Sequence, residues 1–149
     1  MSSFEDAIIQ RIRSLEREVE RLQRWERPKL GQWTSFTPSY TGWVSGTVAG
    51  VFKYSTIGNI VFLLIDMTAG TSNATSAAIN LPINAELNAS YGGALGMAMD
   101  NGVVLTQATK WYIGGASQEI SFNTDMSNGA WTASGIKRVR CLAIYAKGT

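Results

Sequence analysis

The sequence predicts a mainly β protein, in which an N-terminal helix forming a trimeric coiled coil precedes an antiparallel β-sandwich of jelly-roll type or a barrel. Three observations support this prediction. The charged residues concentrate before residue 31, the apolar residues there repeat with a heptad period, and after residue 31 the pattern becomes that of short strands. Residues 1–30 are therefore interpreted as a coiled-coil stalk, and residues 31–149 as a β head.

The charge distribution argues against a nucleic-acid-binding protein. Residues 1–30 contain seven of the 13 basic and six of the 11 acidic residues, so arginine and glutamate interleave along the stalk. Nucleic-acid-binding proteins normally carry a basic stripe, because neutralising phosphates supplies much of their affinity. We expect the charges to form a solvated helix face, with no nucleic acid as partner.

The stalk carries a regular apolar seam. Its members are spaced by four, three, four and three residues: Ile8, Ile12, Leu15, Val19 and Leu22. This spacing is typical of positions a and d of a heptad repeat. Isolated helices of about this length are marginal in water. The seam therefore predicts partners, which are either other copies of the chain or the head.

The number of copies is argued from the residues in and beside the seam. β-branched Ile12 and Val19 at a, with leucine at d, lean towards a parallel dimer. In contrast, the stretch from Arg11 to Glu16 resembles the Arg-apolar-x-x-apolar-Glu pattern of many parallel three-stranded coils. We favour a homotrimer, and the dimer remains the alternative.

The head is read as about eight strands. Runs rich in Val, Ile, Thr, Tyr and Phe, bounded by Gly, Asn and Ser, cover residues 46–58, 59–67, 76–82, 93–100, 102–115, 117–125 and 136–148. Asn101-Gly102 suits a two-residue type I′ turn and predicts a hairpin. Asn128-Gly129 indicates a second turn.

Few residues offer catalytic or metal chemistry. The chain has no histidine, which removes His-based triads and most metal sites. Its single cysteine, Cys141, lies in a strand-like run and is interpreted as a small buried residue. The head carboxylates, none of them in a tight local motif, are Asp66, Glu86, Asp100, Glu119 and Asp125. We expect no enzyme, cofactor or metal, and a glycan-cleaving enzyme remains a weak alternative.

The sequence also bears on localisation. The N-terminus lacks a basic region followed by an apolar run, so no secretory signal is predicted. The longest apolar run, Ile60 to Ile65, is far shorter than the roughly 20 residues that cross a bilayer. We expect synthesis in the cytoplasm and no membrane insertion.

Four aromatic residues are candidates for binding a glycan. Trp43, Trp111, Tyr112 and Trp131 lie beside Gly- or Asn-Gly-containing segments, where aromatic faces could stack on sugar rings and neighbouring polar side chains could bond hydroxyls. The alternative for each is burial in the core or along the trimer axis.

Residues 33–82 resemble a domain found in bacteriophage tail-fibre, receptor-binding and minor structural proteins. The matching positions are Phe36, Pro38, Tyr40, Thr41, Gly50, Phe52, Gly58, Val61, Leu81 and Pro82. Tyr40 and Phe52 stand where the family usually has Trp and Tyr. The resemblance implies a parallel trimer of β heads built into a virion.

Within that resemblance, the function expected is a fibre or receptor-binding module whose head binds a bacterial surface glycan or protein. The second half of the head, residues 83–149, lies outside the resemblance and would carry recognition. The alternative is a capsid-decorating or head-fibre protein, anchored to the shell by its N-terminal helices, with other virion proteins as partners.

Overall fold

The computed structural model describes residues 4–25, 31–115 and 117–148 of the chain. The chain divides into two compact units, a helical unit (Met1–Leu30) and a β unit (Gly31–Thr149). Among the described residues, no helix is long and apolar enough to cross a membrane.

The helical unit contains α1, Phe4–Trp25. Straight-chain Glu, Arg, Gln and Leu dominate its sequence, and these side chains lose little rotamer freedom in a helix. The helix is confirmed, whereas its assembly into a coiled coil stays a prediction. Of the seam, Ile8, Ile12, Leu15 and Val19 are 43–50% exposed, and the Leu22 side chain lies outside the described residues.

The β unit consists of two antiparallel sheets, which confirms the mainly β prediction. The six-stranded sheet has the order β1 (Thr34–Ser35), β3 (Ala49–Ile57), β4 (Ile60–Ala69), β11 (Arg138–Ala146), β7 (Met97–Asp100) and β8 (Val103–Val104). The five-stranded sheet has the order β2 (Tyr40–Thr41), β5 (Ala78–Asn80), β10 (Glu119–Asn123), β9 (Lys110–Ile113) and β6 (Tyr91–Ala94).

One apolar core lies between the sheets, built by the alternation of side chains along the strands. In the central strands β4 and β11, Val61, Leu63, Ile65 and every second residue from Val139 to Tyr145 are buried. Ile120 and Phe122 of β10 face them from the other sheet. Cys141 belongs to this core as expected, and burial raises the pKa of its thiol to about 12.

The prediction of about eight strands is wrong in its number and in two of its boundaries, since the described residues form eleven strands. Residues 93–100 contribute to β6 and β7, which belong to different sheets, and residues 102–115 likewise divide into β8 and β9. The chain changes sheets at Leu95-Gly96 and again after Val104. Alternation within a run does not reveal such a crossing, because the apolar period continues in both sheets.

The predicted hairpin at Asn101-Gly102 is confirmed. Asp100 pairs with Val103, and Asn101 and Gly102 have φ values of 49° and 80°, the left-handed pair that a type I′ turn requires. The second predicted turn is present as a loop in which the Thr124 backbone N–H donates to the Gly129 carbonyl at 3.0 Å. Asn128 adopts φ 70° there.

Candidate functional site

Several loops converge at one end of the β unit, here called the loop end. They cover residues 42–48, 70–77, 101–102 and 124–137. Isolated β-bridges join Trp43 to Ser72 and Thr71 to Ile136. The Gly102 N–H also donates to the Ile136 carbonyl at 2.9 Å, which joins the type I′ turn to the same group. Backbone hydrogen bonds thus hold loops together that are far apart in the sequence.

Lys137 lies at the centre of these loops and is fully buried. Its ammonium donates to the carbonyls of Gly42, Ala74 and Ser76, with Nζ–O distances of 3.0, 2.8 and 2.8 Å. An ammonium has three donors and no acceptor, so three carbonyls satisfy it completely. One side chain therefore connects the loop after β2 to the loop after β4.

Two tryptophans complete the surroundings of the ammonium. Nζ lies 5.3 Å from the centroid of the Trp43 ring and 5.5 Å from that of Trp131. Indole faces attract cations, and the attraction is strongest where water is excluded. The group of Lys137, its three carbonyls and these two indoles is called the lysine cage below.

Burial affects the protonation of Lys137 in the lysine cage. It lowers the pKa of Lys137 from 10.5 to about 8, while the carboxylate of Asp100 acts in the opposite direction. Lys137 is therefore mainly charged at neutral pH. Asp100 is fixed in turn by Thr132, whose N–H and hydroxyl donate to its carboxylate at 3.0 and 2.9 Å.

The structure corrects the role predicted for three of the four candidate aromatics. Trp43, Trp111 and Trp131 are buried, with 2–5% of their surface exposed, so the alternative of a core position applies to each. The indole N–H of Trp43 donates to the Lys137 carbonyl at 3.0 Å, and that of Trp131 to the Phe122 carbonyl at 2.8 Å. Rings held in this way present no face to a sugar.

Tyr112 is the candidate aromatic that lies at the surface, with 43% of its area exposed. It stands on the outer side of the five-stranded sheet, between Gly92 of β6 and Ser121 of β10. The four predicted residues thus do not form one site. Trp43 and Trp131 are buried beneath the loop end, beside Lys137, whereas Tyr112 lies on the exposed side of β9.

The exposed surface of the loop end is rich in polar side chains and almost uncharged, and it also includes the exposed apolar residues Val44, Met126 and Ile136. Its hydroxyl and amide side chains come from each of the larger loops: Ser45, Asn73, Thr75, Ser76, Ser127, Asn128, Thr132 and Ser134. Such groups both donate and accept hydrogen bonds, which is what a hydroxyl-rich neutral ligand requires. Binding residues often occupy loops that a rigid framework positions, and the lysine cage provides that framework.

The loop end lies opposite the point where the chain enters the β unit. A Cβ placed on Gly31 would lie 4.0 Å from the hydroxyl of Ser55, close to the Ile57 end of β3. The loop of residues 42–48 precedes Ala49 at the other end, and Ala49 and Ser55 are separated by about 20 Å at 3.4 Å per residue. The exposed loops therefore point away from Gly31.

Three of the five head carboxylates have structural roles. Asp66 accepts from Arg140 Nε at 2.7 Å, Asp100 binds Thr132, and Asp125 accepts the backbone N–H groups of its own loop. Among residues 4–25, 31–115 and 117–148, no three His, Cys, Asp or Glu side chains form a group able to hold a metal ion.

Sequence reasoning missed Lys137, which organises the loop end. A lone lysine before a strand normally suggests a solvated position, and the three carbonyls that bind it come from segments more than 60 residues away. The sequence prediction reached this site only indirectly, because it selected Trp43 and Trp131, which lie beside Lys137 in the fold. No protein-family model, curated protein or solved structure matches the chain.

Proposed function

We propose that this chain is a homotrimeric structural module of a bacteriophage virion, a fibre or receptor-binding protein. Its N-terminal helices form a three-stranded coiled-coil stem, and its β unit is a sandwich head. The loop end of that head binds a glycan or protein of the bacterial surface. The module is made in the host cytoplasm, inserts into no membrane and catalyses no reaction.

The exposed seam of α1 carries this proposal. Ile8, Ile12, Leu15 and Val19 share one side of a helix whose described side chains are all exposed. An apolar stripe in water costs free energy that association with other copies removes. The Arg11–Glu16 pattern then favours three copies over two.

The position and composition of the loop end support its role as the binding surface. It lies at the end of the β unit opposite Gly31, where the chain enters this unit. Its polar groups suit a hydrated ligand, for which each contact is weak. Three copies on one stem would raise the overall affinity through effective concentration. The resemblance of residues 33–82 to phage proteins supports the assignment to a virion.

Light scattering on the full chain tests the stem. We expect three times the chain mass of 16.2 kDa. Leu15→Asp, which places a charge in the seam, should weaken the assembly at least tenfold. Gln10→Asp introduces the same charge on the solvated side of the helix and is the matched control. A wild-type chain of single mass at micromolar concentration would overturn the trimer.

Binding of the full chain to an array of bacterial surface glycans, and to whole cells, tests the head. We expect Asn73→Ala with Thr75→Ala to reduce binding and Tyr112→Ala to leave it unchanged. The reverse result would move the binding surface to the five-stranded sheet. Absence of cell binding together with tight attachment to purified capsids would favour the decoration protein.

A further inference from the structure

The outer side of the six-stranded sheet is apolar at its centre, which is unusual for a surface in contact with water. The residues that form this surface, here called the apolar sheet face, are Ile57, Ile60, Phe62, Leu64, Leu142 and Ile144. They are contiguous because Leu142 pairs with Leu64, Ile144 with Phe62, and Ile57 with Ile60 across three adjacent strands.

Several of these side chains are substantially exposed in the single chain. Leu142 is 52% exposed, Ile144 47% and Ile60 39%. The largest contiguous apolar patch on a soluble protein is often an interaction surface. None of the six side chains can donate or accept a hydrogen bond, so a hydrated ligand such as a glycan would find no partners here.

Polar groups surround the apolar sheet face on the side towards the loop end. Arg140 and Asp66 form an ion pair with an Nε–Oδ1 distance of 2.7 Å, and the two residues stand opposite each other on β11 and β4. Lys53 of β3 lies opposite Leu64. An apolar centre with a charged border is the usual composition of an interface between protein subunits.

The entry of the chain indicates which partner covers this face. Gly31 approaches Ser55, and Ser55 pairs with Phe62 on the same outer side of β3 and β4. The chain therefore reaches the head on the apolar sheet face, and residues 26–30 alone separate Gly31 from α1. Copies gathered by the stem would be tethered at this face.

The size of the face fits a contact that relies on such a tether. Three strands spaced by about 4.8 Å, with the five residues 60–64 rising about 3.4 Å each, give roughly 250 Å² in projection. A stable interface between free proteins buries about 800 Å² per partner. The face is too small to hold separate chains firmly, but sufficient for heads that a stem already holds at high effective concentration.

We propose that the apolar sheet faces of three heads pack against one another around the axis of the trimer. This inference rests on the proposed function, because it takes the trimer as given and adds the surface by which the heads meet. β4 and β11 are the two central strands of the sheet, and Leu142 of β11 stands opposite Leu64 of β4 on the face. Symmetry would bring its three copies close together.

Cross-linking of introduced cysteines tests this arrangement in the full chain. Cys141 is the only native cysteine and is buried, so it contributes little background. Leu142→Cys places a thiol on the apolar sheet face. Leu87→Cys is the matched control, since Leu87 is 70% exposed, is tethered by the same stem and lies outside the face. Both are treated with a short bis-maleimide and run on a denaturing gel.

We expect covalent dimers to form at least about tenfold faster with Leu142→Cys than with Leu87→Cys, the excess reflecting the local concentration at a contact. Leu142→Lys should also raise the protein concentration at which the trimer dissociates by about tenfold relative to Leu87→Lys. If the two variants cross-link at equal rates while light scattering shows a trimer, the proposed contact between the heads is wrong, and the trimer formed by the stem is unaffected. A wild-type chain of single mass would overturn the proposed function itself.

A further outcome identifies the rival occupant. Were the face covered by the helix of its own chain, Leu142→Cys combined with Ile12→Cys would cross-link within single chains and produce no dimers. That result would overturn the proposal. The normal far-UV circular dichroism of each variant would exclude misfolding as its cause, because Leu142 is exposed and outside the core.

Discussion

Replacement of Lys137 by methionine should destabilise the β unit by about 2–3 kcal/mol at pH 7, because methionine fills the same space without an ammonium. The variant removes the donors from the carbonyls of Gly42, Ala74 and Ser76. The Gly42 carbonyl keeps the Asn73 N–H, and the Ala74 carbonyl keeps a share of the Ser72 hydroxyl, whose single hydrogen the Thr132 carbonyl also accepts. The Ser76 carbonyl has no second donor among the described residues.

These contacts allow the magnitude to be worked out. Loss of the donor to the Ser76 carbonyl costs about 1–3 kcal/mol, and the two carbonyls that keep a partner lose about 0.5–1 kcal/mol each. Loss of the two cation–π contacts adds about 2 kcal/mol. In the opposite direction, lowering the pKa of Lys137 from 10.5 to about 8 corresponds to a burial cost of about 3 kcal/mol, which the variant avoids.

The assay is urea unfolding of the full chain at one fixed protein concentration, because dissociation of an oligomer would contribute to the free energy of unfolding. Lys147→Met is the control, since Lys147 is partly exposed and outside the lysine cage. A difference of less than about 0.5 kcal/mol between the two variants would refute the reasoning.

The same lysine predicts how stability depends on pH. Between pH 8 and 10.5 the unfolded chain holds the Lys137 proton and the folded chain releases it, so the free energy of unfolding rises with pH. From pH 8 to 9 the free energy of unfolding of the wild type should rise by about 1 kcal/mol relative to that of Lys137→Met.

Two buried groups act in the opposite direction, mainly above pH 9. Burial raises the pKa of Cys141 and of Tyr145, so the stability that each contributes is lost as pH rises above its unfolded pKa of 9.0 or 10.0. Cys141 begins to ionise in the unfolded chain below pH 9, but its contribution is the same in both proteins, so the difference between the wild type and Lys137→Met isolates Lys137. If the free energies of unfolding of the wild type and Lys137→Met changed in parallel with pH, the three carbonyls would be keeping the pKa of Lys137 near its ordinary value.

Asp100→Asn should move the Lys137 transition to lower pH, because the carboxylate of Asp100 raises the pKa of the ammonium; an unchanged midpoint in the pH dependence of unfolding would contradict this. Gly46→Ala should cost about 1 kcal/mol, as its φ of 77° disfavours any side chain although nothing lies near the new Cβ. Gly42→Ala should cost several times more in the same unfolding assay, because its Cβ would overlap the Ser76 carbonyl oxygen. Equal losses at the two glycines would contradict the close approach seen at Gly42.

The sequence predicted those features of the fold that local chemistry determines. The run rich in Val, Ile and Phe at residues 59–67 identified the strand Ile60–Ala69, and Asn101-Gly102 identified the turn between β7 and β8 through the φ values it permits. The sheet to which a run belongs depends on distant pairing. For that reason residues 93–100 and 102–115 were each read as one strand, although each contributes to both sheets.

The candidate site was less predictable from the sequence. Trp43 and Trp131 were selected for their position near Gly and Asn-Gly, but both belong to the buried core, where they also lie beside Lys137, more than 90 residues away from Trp43. Tyr112 was predicted to be accessible, and the alternation of β9 exposes it while burying Trp111. Lys137 is bound by backbone carbonyls, which every residue type has, so the amino-acid types of its partners do not reveal the site.

The use of carbonyls has a consequence for how this surface can evolve. Every amino acid carries a carbonyl, so the lysine cage constrains the path of the loops and not the side chains on their outer side. Residues such as Asn73, Thr75 and Ser127 can be exchanged freely while Lys137 keeps its three acceptors. The loop end therefore has the properties of a display scaffold, in which the exposed chemistry can diversify while the framework beneath remains constant.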